Sequence, residues 1–253
     1  MTGDFDVEHP FHISEEYATD CNIAQKLPST WQIFFQKFGR LRSVQREAIP
    51  KVLQGKDVLL ISGTASGKTE AVCAPLVERN LGRKGPWTIL YIAPTRALVN
   101  DIYQRLDEPA RRLNLTLKRR TADHRDQLKT IPHILITTPE SFDSMLCRVK
   151  RNDDYGHSLA HVVAVVLDEV HLLYGTPRGE QIRWLIERLK KLRTFVASEK
   201  WIKNPDLQIL GLSATIPDPE GVNCYYFSGD ASIVKGESQR SIETLIVGNY
   251  SAY

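Results

Sequence analysis

The residues with the clearest chemical role lie in the segment Ser62–Thr69, which reads Ser-Gly-Thr-Ala-Ser-Gly-Lys-Thr. This segment follows an apolar run, Val58–Ile61, and precedes a stretch with helical character. A strand that turns sharply into a helix directs backbone N–H groups at one point, where the helix dipole adds positive potential. In such a loop Gly67 lets the backbone approach a phosphate, Lys68 supplies a positive charge and Thr69 offers a hydroxyl to Mg²⁺. The segment therefore predicts a binding site for a nucleoside triphosphate.

The whole loop is expected to take part in binding, because its backbone amides surround the phosphates. The common form of this loop has glycine at the first position, where this chain has Ser62. The residues predicted to bind the nucleotide are Gly63, Thr64, Ala65, Ser66, Gly67, Lys68 and Thr69.

A second group capable of chemistry is the carboxylate pair Asp168 and Glu169, directly after the apolar run 162–167. A buried strand that ends in Asp-Glu places both carboxylates at the carboxyl edge of a sheet, facing the phosphate loop. Asp168 would hold Mg²⁺ through water, because Mg²⁺ keeps most of its hydration shell. Glu169 would orient or deprotonate the attacking water. We therefore predict Lys68, Asp168 and Glu169 as catalytic residues, with Thr69 and Asp168 at the metal.

The elements that must position these residues alternate between apolar runs and helical patterns. Apolar runs without polar alternation indicate strands that are covered on both faces, and helical segments between them indicate crossovers in a parallel sheet. The sequence thus predicts an α/β fold, a doubly wound and mostly parallel sheet flanked by helices. The predicted strands are 57–61, 87–92, 115–118, 133–137, 162–167 and 207–212, and the first predicted helices are Ser29–Phe38 and Ser43–Leu53.

The clearest helix begins at Thr176, a capping residue followed by proline at the first helical position. Its apolar residues recur at helical spacing and predict one buried stripe, formed by Ile182, Leu185, Ile186, Leu189 and Leu192. The charged residues Arg183, Glu187, Lys190, Lys191 and Arg193 are expected outside that stripe.

Composition restricts the class of protein. The chain has 253 residues, of which 42% are hydrophobic and 25% charged, as in ordinary globular proteins. No apolar run approaches the ~20 residues that a membrane span needs. The four cysteines are widely scattered without metal-ligand spacing, which indicates reduced thiols and a cytoplasmic protein. The net charge of +3 is too small to identify a partner.

The distribution of charge is more informative than its sum. Residues 1–20 contain six acidic residues and no lysine or arginine, which predicts a loosely ordered acidic arm over residues 1–28. Residues 111–129 carry seven basic residues against two acidic ones, either as solvated surface or as a contact for nucleic-acid phosphates. Residues 29–225 are expected to form the nucleotide-binding domain, followed by an extension over 226–253.

Besides the phosphate loop and the carboxylate pair, further motifs occur in a fixed order over residues 41–215. On these motifs the chain resembles the first RecA-like domain of a superfamily 2 helicase. It carries a DEVH form of the DEAD/DEAH box and is most similar to the large helicase-related (Lhr-like) branch. The matching segments are the Q motif with Gln45, motif I (62–69), motif Ia (93–98), motif Ib (137–141), motif II (168–171) and motif III (213–215).

The resemblance implies roles for residues outside the phosphate site. Gln45 would read the adenine of ATP, so that ATP and Mg²⁺ are the implied cofactors. Motifs Ia and Ib would contact the backbone of DNA or RNA through Thr95, Arg96, Thr138, Pro139 and Glu140. His171, Ser213 and Thr215 would couple the nucleotide state to domain position.

The chain departs from the family pattern in two places. The position at which DEAD-box proteins carry an adenine-stacking aromatic residue holds Pro28 here. Phe38 lies nearer and could serve instead, but Phe34, Phe35 and Phe38 are expected to be helix core. A glycine-containing element common in the family is absent near 121–123.

The resemblance implies an ATP-dependent nucleic-acid helicase that hydrolyses ATP to translocate or unwind. Only 38 residues follow Thr215, fewer than the ~150 of a second RecA-like domain. We therefore expect that a second such domain, in cis or in trans, completes the cleft, that no membrane is involved, and that the isolated chain is weak or inactive. The alternative is a nucleotide-gated module that binds nucleic acid or protein without productive hydrolysis.

Overall fold

The computed structural model describes residues 15–124, 130–148 and 159–236. Its centre is a seven-stranded sheet in which every neighbouring pair is parallel, with the strand order β3-β4-β2-β5-β6-β1-β7. The strands are β1 (Val58–Ile61), β2 (Thr88–Ile92), β3 (Leu117–Arg120), β4 (Ile134–Thr137), β5 (Val162–Leu167), β6 (Gln208–Ser213) and β7 (Ser232–Lys235).

Helices cover both faces of this sheet, which confirms the doubly wound α/β prediction. Successive strand residues point to opposite faces, so that Leu60 joins one apolar cluster and Leu59 the other. The helices are α1 (Glu15–Lys26), α2 (Trp31–Phe34), α3 (Ser43–Leu53), α4 (Lys68–Leu81), α5 (Arg96–Arg112), α6 (Pro139–Arg148), α7 (Pro177–Ser198) and α8 (Pro219–Phe227), with 3₁₀ turns at Gln36–Phe38 and Val170–Leu172. None of the helices in the described ranges combines the length and the apolar character that crossing a membrane requires.

The N-terminal boundary differs from the prediction. Residues 15–26 form α1, and its Ile23 belongs to the core together with the following Leu27. Asp20 is buried, and its carboxylate accepts hydrogen bonds from Arg46 Nε at 2.7 Å and from the Leu41 backbone N–H at 3.1 Å. The expectation of a loosely ordered arm is therefore wrong from residue 15 onward, whereas residues 1–14 lie outside the described residues.

The C-terminal boundary also differs. The extension was expected to begin at residue 226, yet α8 ends at Phe227 and β7 pairs with β1 in parallel. Val234 is the fully buried residue of this four-residue strand. So short a strand with a single buried side chain has no apolar run that the sequence could reveal.

The basic segment after α5 is partly structural. β3 begins at Leu117, two residues later than predicted, and carries Arg119 and Arg120 into the sheet. The Arg119 guanidinium lies 4.7 Å from the centre of the Tyr103 ring and donates to Asn100 Oδ1 at 2.7 Å. Arg125 and Lys129, which belong to the same predicted cluster, lie outside the described residues.

Helix α7 begins as predicted, but one of its charged residues is buried. The Thr176 hydroxyl accepts a hydrogen bond from the Gly179 N–H at 3.1 Å and caps the helix. Arg193, expected outside the buried stripe, is only 2% exposed. Its guanidinium donates to four backbone carbonyls, those of Ala160, Asn204, Pro205 and Asp206. These carbonyls satisfy a cation that helical periodicity alone places in solvent.

Replacing Arg193 with Met tests this arrangement. The substitution leaves the buried Ala160 carbonyl and three carbonyls of residues 204–206 without this donor, and we expect the free energy of unfolding to fall by about 2–4 kcal/mol. Urea unfolding followed by circular dichroism measures the change. Arg188→Met is the matched control on the same helix, because Arg188 is exposed and pairs with Asp143 at the surface. Equal, small effects of the two substitutions would show that the buried guanidinium does not hold the segment 204–206.

Candidate nucleotide and nucleic-acid site

The phosphate loop connects β1 to α4 and depends on a glycine at the start of the helix. Gly67 has φ of 75°, in the left-handed region, and a Cβ at this position would collide with Gln45 Nε2. Gln45 in turn donates from Nε2 to the Gly67 carbonyl at 3.2 Å and accepts from the Arg42 N–H at 3.0 Å. The side chain of Gln45 therefore joins the start of α3 to the phosphate loop.

Lys68 points its ammonium group back into this loop. Its Nζ donates to the carbonyls of Ser62 at 2.6 Å and Gly63 at 3.0 Å. Burial lowers the pKa of Lys68, and the negative charges of Glu169 and Asp168 act in the opposite direction. The phosphate loop and the acidic end of β5 are thus electrostatic neighbours, as the sequence predicted for a shared site.

Asp168 follows β5 and is held by backbone contacts on both sides. Its N–H donates to the Ile92 carbonyl at 2.9 Å, and its Oδ1 accepts from the Glu169 N–H at 3.0 Å. The carboxylate is buried. Burial, followed by the neighbouring charge of Glu169, raises the pKa of Asp168 to about 6. A carboxylate that is buried this deeply needs a cation or a donor to stabilise its ionised form.

Glu169 has an unusual backbone. Its φ of 46° and ψ of 50° lie in the left-handed region, which costs a non-glycine residue about 1 kcal/mol or more. This conformation turns the chain sharply after Asp168 into the 3₁₀ turn Val170–Leu172. Glu169 Oε2 is buried and lies 3.3 Å from His171 Nδ1 without forming a hydrogen bond of ordinary geometry. Strain of this kind is typical of positions where side-chain placement serves function.

A chain of hydrogen bonds joins the ends of β5 and β6. His171 Nδ1 lies 2.9 Å from Ser213 Oγ, and the Ser213 hydroxyl donates its proton to the Thr215 carbonyl at 3.1 Å. Because that hydroxyl has a single proton, it must accept from His171, which assigns the proton of the neutral imidazole to Nδ1. Motif II and motif III are therefore connected through side chains. Thr215 takes part through its carbonyl rather than through its hydroxyl.

Tyr91 is a residue of this site that the sequence analysis missed. It lies in β2, is fully buried, and its hydroxyl lies beside the Asp168 carboxylate and Thr69. Burial raises the pKa of Tyr91, and the negative charge of Asp168 adds to the effect. The only signal in the sequence is a tyrosine inside the otherwise apolar end of a strand.

Unsatisfied polar atoms test whether the site fits a polar ligand. Ser66 Oγ and Glu169 Oε2 are buried and have no hydrogen-bond partner among the described residues. Buried polar atoms normally have partners, so their concentration here indicates a site that receives phosphate, water or a cation. The hydroxyl of Thr69 and the carboxylate of Asp168 are hard oxygen donors of the kind that Mg²⁺ prefers. Within the described ranges no three His, Cys, Asp or Glu side chains could hold a metal ion by themselves.

A second concave region lies beyond the carboxyl ends of β2 and β4. It has a volume of about 330 Å³ and contains Thr95, Arg96, Thr138 and Glu140, all predicted to contact nucleic acid. Pro139, the other such residue, begins α6, and Arg96 begins α5. Two helix N-termini therefore border this groove, and helix N-termini attract phosphates.

Contacts within the groove show how its residues are held. The Thr95 hydroxyl accepts from the Leu98 N–H at 3.2 Å and caps α5. Arg96 forms an ion pair of 2.6 Å with Asp123, in the segment where the family's glycine element is absent. Arg178, which the sequence analysis missed, donates to the Pro94 carbonyl at 2.7 Å and to Glu140 Oε1 at 2.8 Å. Arg178 thus ties motif Ia to motif Ib.

One aromatic residue does not lie where the sequence placed it. Phe34 and Phe35 are buried as expected, but the Phe38 side chain is 55% exposed. Lys37 Nζ lies 5.0 Å from the centre of its ring. The 3₁₀ turn that replaces the end of the predicted helix rotates Phe38 out of the core.

The buried charge of Asp168 leads to a testable stability effect. Its pKa of about 6 exceeds the ordinary 3.8, so the folded protein favours the protonated form, and ionisation of Asp168 lowers stability as pH rises from about 4 through about 6, above which the loss is constant. Asp168→Asn should therefore raise the Tm of the ligand-free protein at pH 7–8 by a few degrees, or about 2 kcal/mol.

The gain should shrink as the pH falls through about 6 towards 4. Thermal unfolding across this pH series is the measurement, with Asp101→Asn as the exposed control. A lower Tm for Asp168→Asn at neutral pH would contradict the proposed cost of burial.

Known proteins are similar to this chain in sequence. The family model for the DEAD/DEAH box helicase matches residues 42–222. The ATP-dependent helicase Lhr-Core of Sulfolobus acidocaldarius is 33% identical over 222 residues, which cover 80% of this chain and 24% of that protein. Lhr-Core of Methanocaldococcus jannaschii is 31% identical over 93% of this chain and 29% of the relative.

A solved structure of an Lhr helicase is also similar to this chain in fold. The structure of Mycobacterium smegmatis helicase Lhr bound to ssDNA and AMP-PNP superposes with a TM-score of 0.71 at 26% identity, over 85% of this chain and 28% of that chain. The chain therefore spans about a quarter of the length of these relatives. The resemblance read from the motifs is confirmed, and the chain belongs to the DEAD/DEAH box helicase family.

Proposed function

We propose that this chain is the ATP-binding domain of an ATP-dependent nucleic-acid helicase, which hydrolyses ATP to translocate or unwind when a second RecA-like domain completes the cleft. The observation that carries this proposal is the placement of Lys68 beside Asp168 and Glu169, between the phosphate loop and the end of β5, with Lys68 and Asp168 both buried. The related Mycobacterium smegmatis Lhr was solved with ssDNA and AMP-PNP, which supports the same ligand classes here.

Each residue of the phosphate site would have a different role in binding or hydrolysing ATP. Lys68, now bound to two loop carbonyls, would transfer its hydrogen bonds to the phosphates of ATP. Thr69 and Asp168 would hold Mg²⁺, which neutralises phosphate charge when bound. Glu169 has a carboxylate oxygen without a hydrogen bond and is therefore suited to orient the attacking water and accept its proton. Gln45 would read adenine while it stays attached to the phosphate loop.

The remaining motifs would connect this chemistry to nucleic acid. His171, Ser213 and Thr215 form one hydrogen-bonded chain that begins two residues after Glu169, so a change at the phosphate site reaches the end of β6. The groove formed by Thr95, Arg96, Thr138, Pro139 and Glu140 would bind the phosphate backbone of DNA or RNA. Backbone contacts of this kind position a strand without reading its sequence.

The domain boundaries and the compartment remain proposals as well. The described residues 15–124, 130–148 and 159–236 form one folded unit, and we propose that residues 237–253 lead towards the second RecA-like domain. The four cysteines are free, and three of them are exposed, which supports a reducing compartment such as the cytoplasm.

The competing proposal, a nucleotide-gated binding module, is weaker for a physical reason. A module that only binds has no need for a strained glutamate beside the phosphate site, yet Glu169 keeps its left-handed backbone and its unsatisfied oxygen. The following experiment separates the two proposals.

Two substitutions should divide binding from hydrolysis. Lys68→Ala should weaken Mg-ATP binding at least about tenfold, because it removes a buried charge at the phosphates. Glu169→Gln should keep binding close to wild type and lower turnover about 100-fold or more. Binding is measured with a fluorescent ATP analogue, and turnover with and without a second RecA-like domain added in trans. Unchanged ATP binding by Lys68→Ala would refute the site, and turnover insensitive to Glu169→Gln would favour the binding module.

Substitutions of the two partners of the Arg96–Asp123 ion pair, which should have opposite effects, test the proposed nucleic-acid groove. Arg96→Ala should weaken binding of a labelled single-stranded oligonucleotide several-fold and lower the salt dependence by about one phosphate contact. Asp123→Ala should strengthen binding, because it frees Arg96 from its carboxylate partner. Arg111→Ala is the control, since Arg111 lies at the far end of α5 and pairs with Asp107. Fluorescence anisotropy at several salt concentrations provides the measurement, and effects of the same sign for Arg96→Ala and Asp123→Ala would contradict the assignment.

A further inference from the structure

A basic cavity lies at the opposite edge of the sheet from the proposed ATP site. Its volume is about 510 Å³, and its walls are the loop before β2, the start of β5 and the segment after α7. Five basic side chains line it, and no carboxylate does so within the described ranges; the cations are Arg83, Lys84, Arg193, Lys200 and Lys203.

The positive charge of this cavity is poorly compensated. Arg83 donates to Asn80 Oδ1, a neutral amide, rather than to a carboxylate. Lys84, Lys200 and Lys203 form no ion pair within the part of the chain that the structure describes. Burial and then the charge of Arg83 lower the pKa of Arg193 to about 10, against the opposing effect of Asp206. A concave surface with such a field attracts anions.

The cavity is built on fixed backbone. The buried guanidinium of Arg193 binds the carbonyls of Asn204, Pro205 and Asp206 and thereby holds the segment that carries Lys203. The end of α7 is closed by two backbone bonds, from the Lys200 N–H to the Ala197 carbonyl at 3.0 Å and from the Trp201 N–H to the Val196 carbonyl at 2.9 Å. Both elements are therefore fixed relative to α7.

Lys200 occupies a position that favours glycine. Its φ of 62° is left-handed, and it follows Glu199, the C-cap residue of α7, at the position where helices usually place glycine. A lysine here carries backbone strain that glycine would relieve. Lys200→Gly therefore removes one positive charge from the cavity without adding strain to the turn.

An aromatic side chain lies beside these cations. Trp201 lines the cavity and is 55% exposed. An exposed indole next to lysines is suited to stack on a nucleic-acid base while the lysines contact its phosphate. The cavity volume is also within the range of sites that accept a molecule as large as a nucleotide.

We propose that this cavity binds a nucleotide unit, with the phosphate at Lys200 and Lys203 and the base against Trp201. The source that we favour is single-stranded nucleic acid, a choice that rests on the proposed helicase function; a free nucleotide is the second source of the same chemistry. The site would give the strand a contact separate from the groove of Thr95 and Arg96, because the two regions lie at opposite ends of β2.

The experiment uses the 253-residue chain, without ATP, and a fluorescein-labelled oligothymidylate followed by anisotropy at several salt concentrations. Lys200→Gly should weaken binding about three- to tenfold and reduce the salt dependence by about one contact, while its Tm stays equal to or above that of wild type. Trp201→Ala should weaken binding about fivefold or more. Trp184→Ala and Lys191→Ala are matched controls on the exposed side of α7 and should bind as wild type does; Trp184 is 56% exposed.

The outcomes separate this site from the proposed function. If Lys200→Gly and Trp201→Ala both bind with the affinity and salt dependence of wild type, while Arg96→Ala still binds more weakly, the proposed cavity site is refuted and the proposed function is not. No binding of the oligonucleotide by wild type would count against the proposed function itself. AMP and unlabelled oligonucleotide are compared as competitors of the labelled oligonucleotide, with concentrations counted in nucleotides. Equal potency of AMP would identify a free nucleotide as the ligand of the cavity. Equal competition by polyglutamate would overturn the nucleotide assignment in favour of an acidic peptide.

Discussion

Burial of unlike charges at the carboxyl edge of the sheet is the constraint on which the site depends. Lys68 is desolvated in the phosphate loop, and Asp168 is desolvated at the end of β5. Each charge lowers the cost of burying the other, because an opposite charge at short range stabilises the ionised form. The pairing is incomplete, since Lys68 gives its hydrogen bonds to loop carbonyls and Asp168 receives one from a backbone N–H. This leaves electrostatic capacity that a triphosphate and a divalent cation are suited to fill.

Two residues with left-handed backbone conformation lie at that same edge of the sheet. Gly67 allows the left-handed turn that brings the phosphate loop against Gln45, and Glu169 accepts a left-handed conformation without being glycine. The two positions differ in what the chain gains. At Gly67 a side chain would collide with Gln45, whereas at Glu169 the left-handed backbone brings a carboxylate oxygen without a hydrogen bond to within 3.3 Å of His171 Nδ1. Non-glycine strain is therefore found at the position that carries a carboxylate and is avoided at the position where a side chain would collide.

The sequence reveals those features that are local and periodic. β1 and β5 were predictable because both faces of each strand are covered, and Thr176 because its cap and the following proline lie within one helical turn. Arg193 was not predictable, because the carbonyls that satisfy it lie at 160 and 204–206 and are brought together only by the fold. Tyr91 was missed for the same reason, since only packing places its hydroxyl beside Asp168.

Helix α7 connects the groove of Thr95 and Arg96 to the basic cavity. At its first turn Arg178 holds motifs Ia and Ib, and Gly179 lies so close to the Leu173 carbonyl that a Cβ would collide with it. Near its other end Arg193 and the turn at Lys200 form the basic cavity. A helix of 22 residues is about 33 Å long, enough to reach from one edge of the sheet to the other. Because Arg178 binds the Pro94 carbonyl and Glu140 at one end, and Arg193 binds the carbonyls of residues 204–206 at the other, a shift of α7 along its axis would change the groove of Thr95 and Arg96 and the basic cavity together.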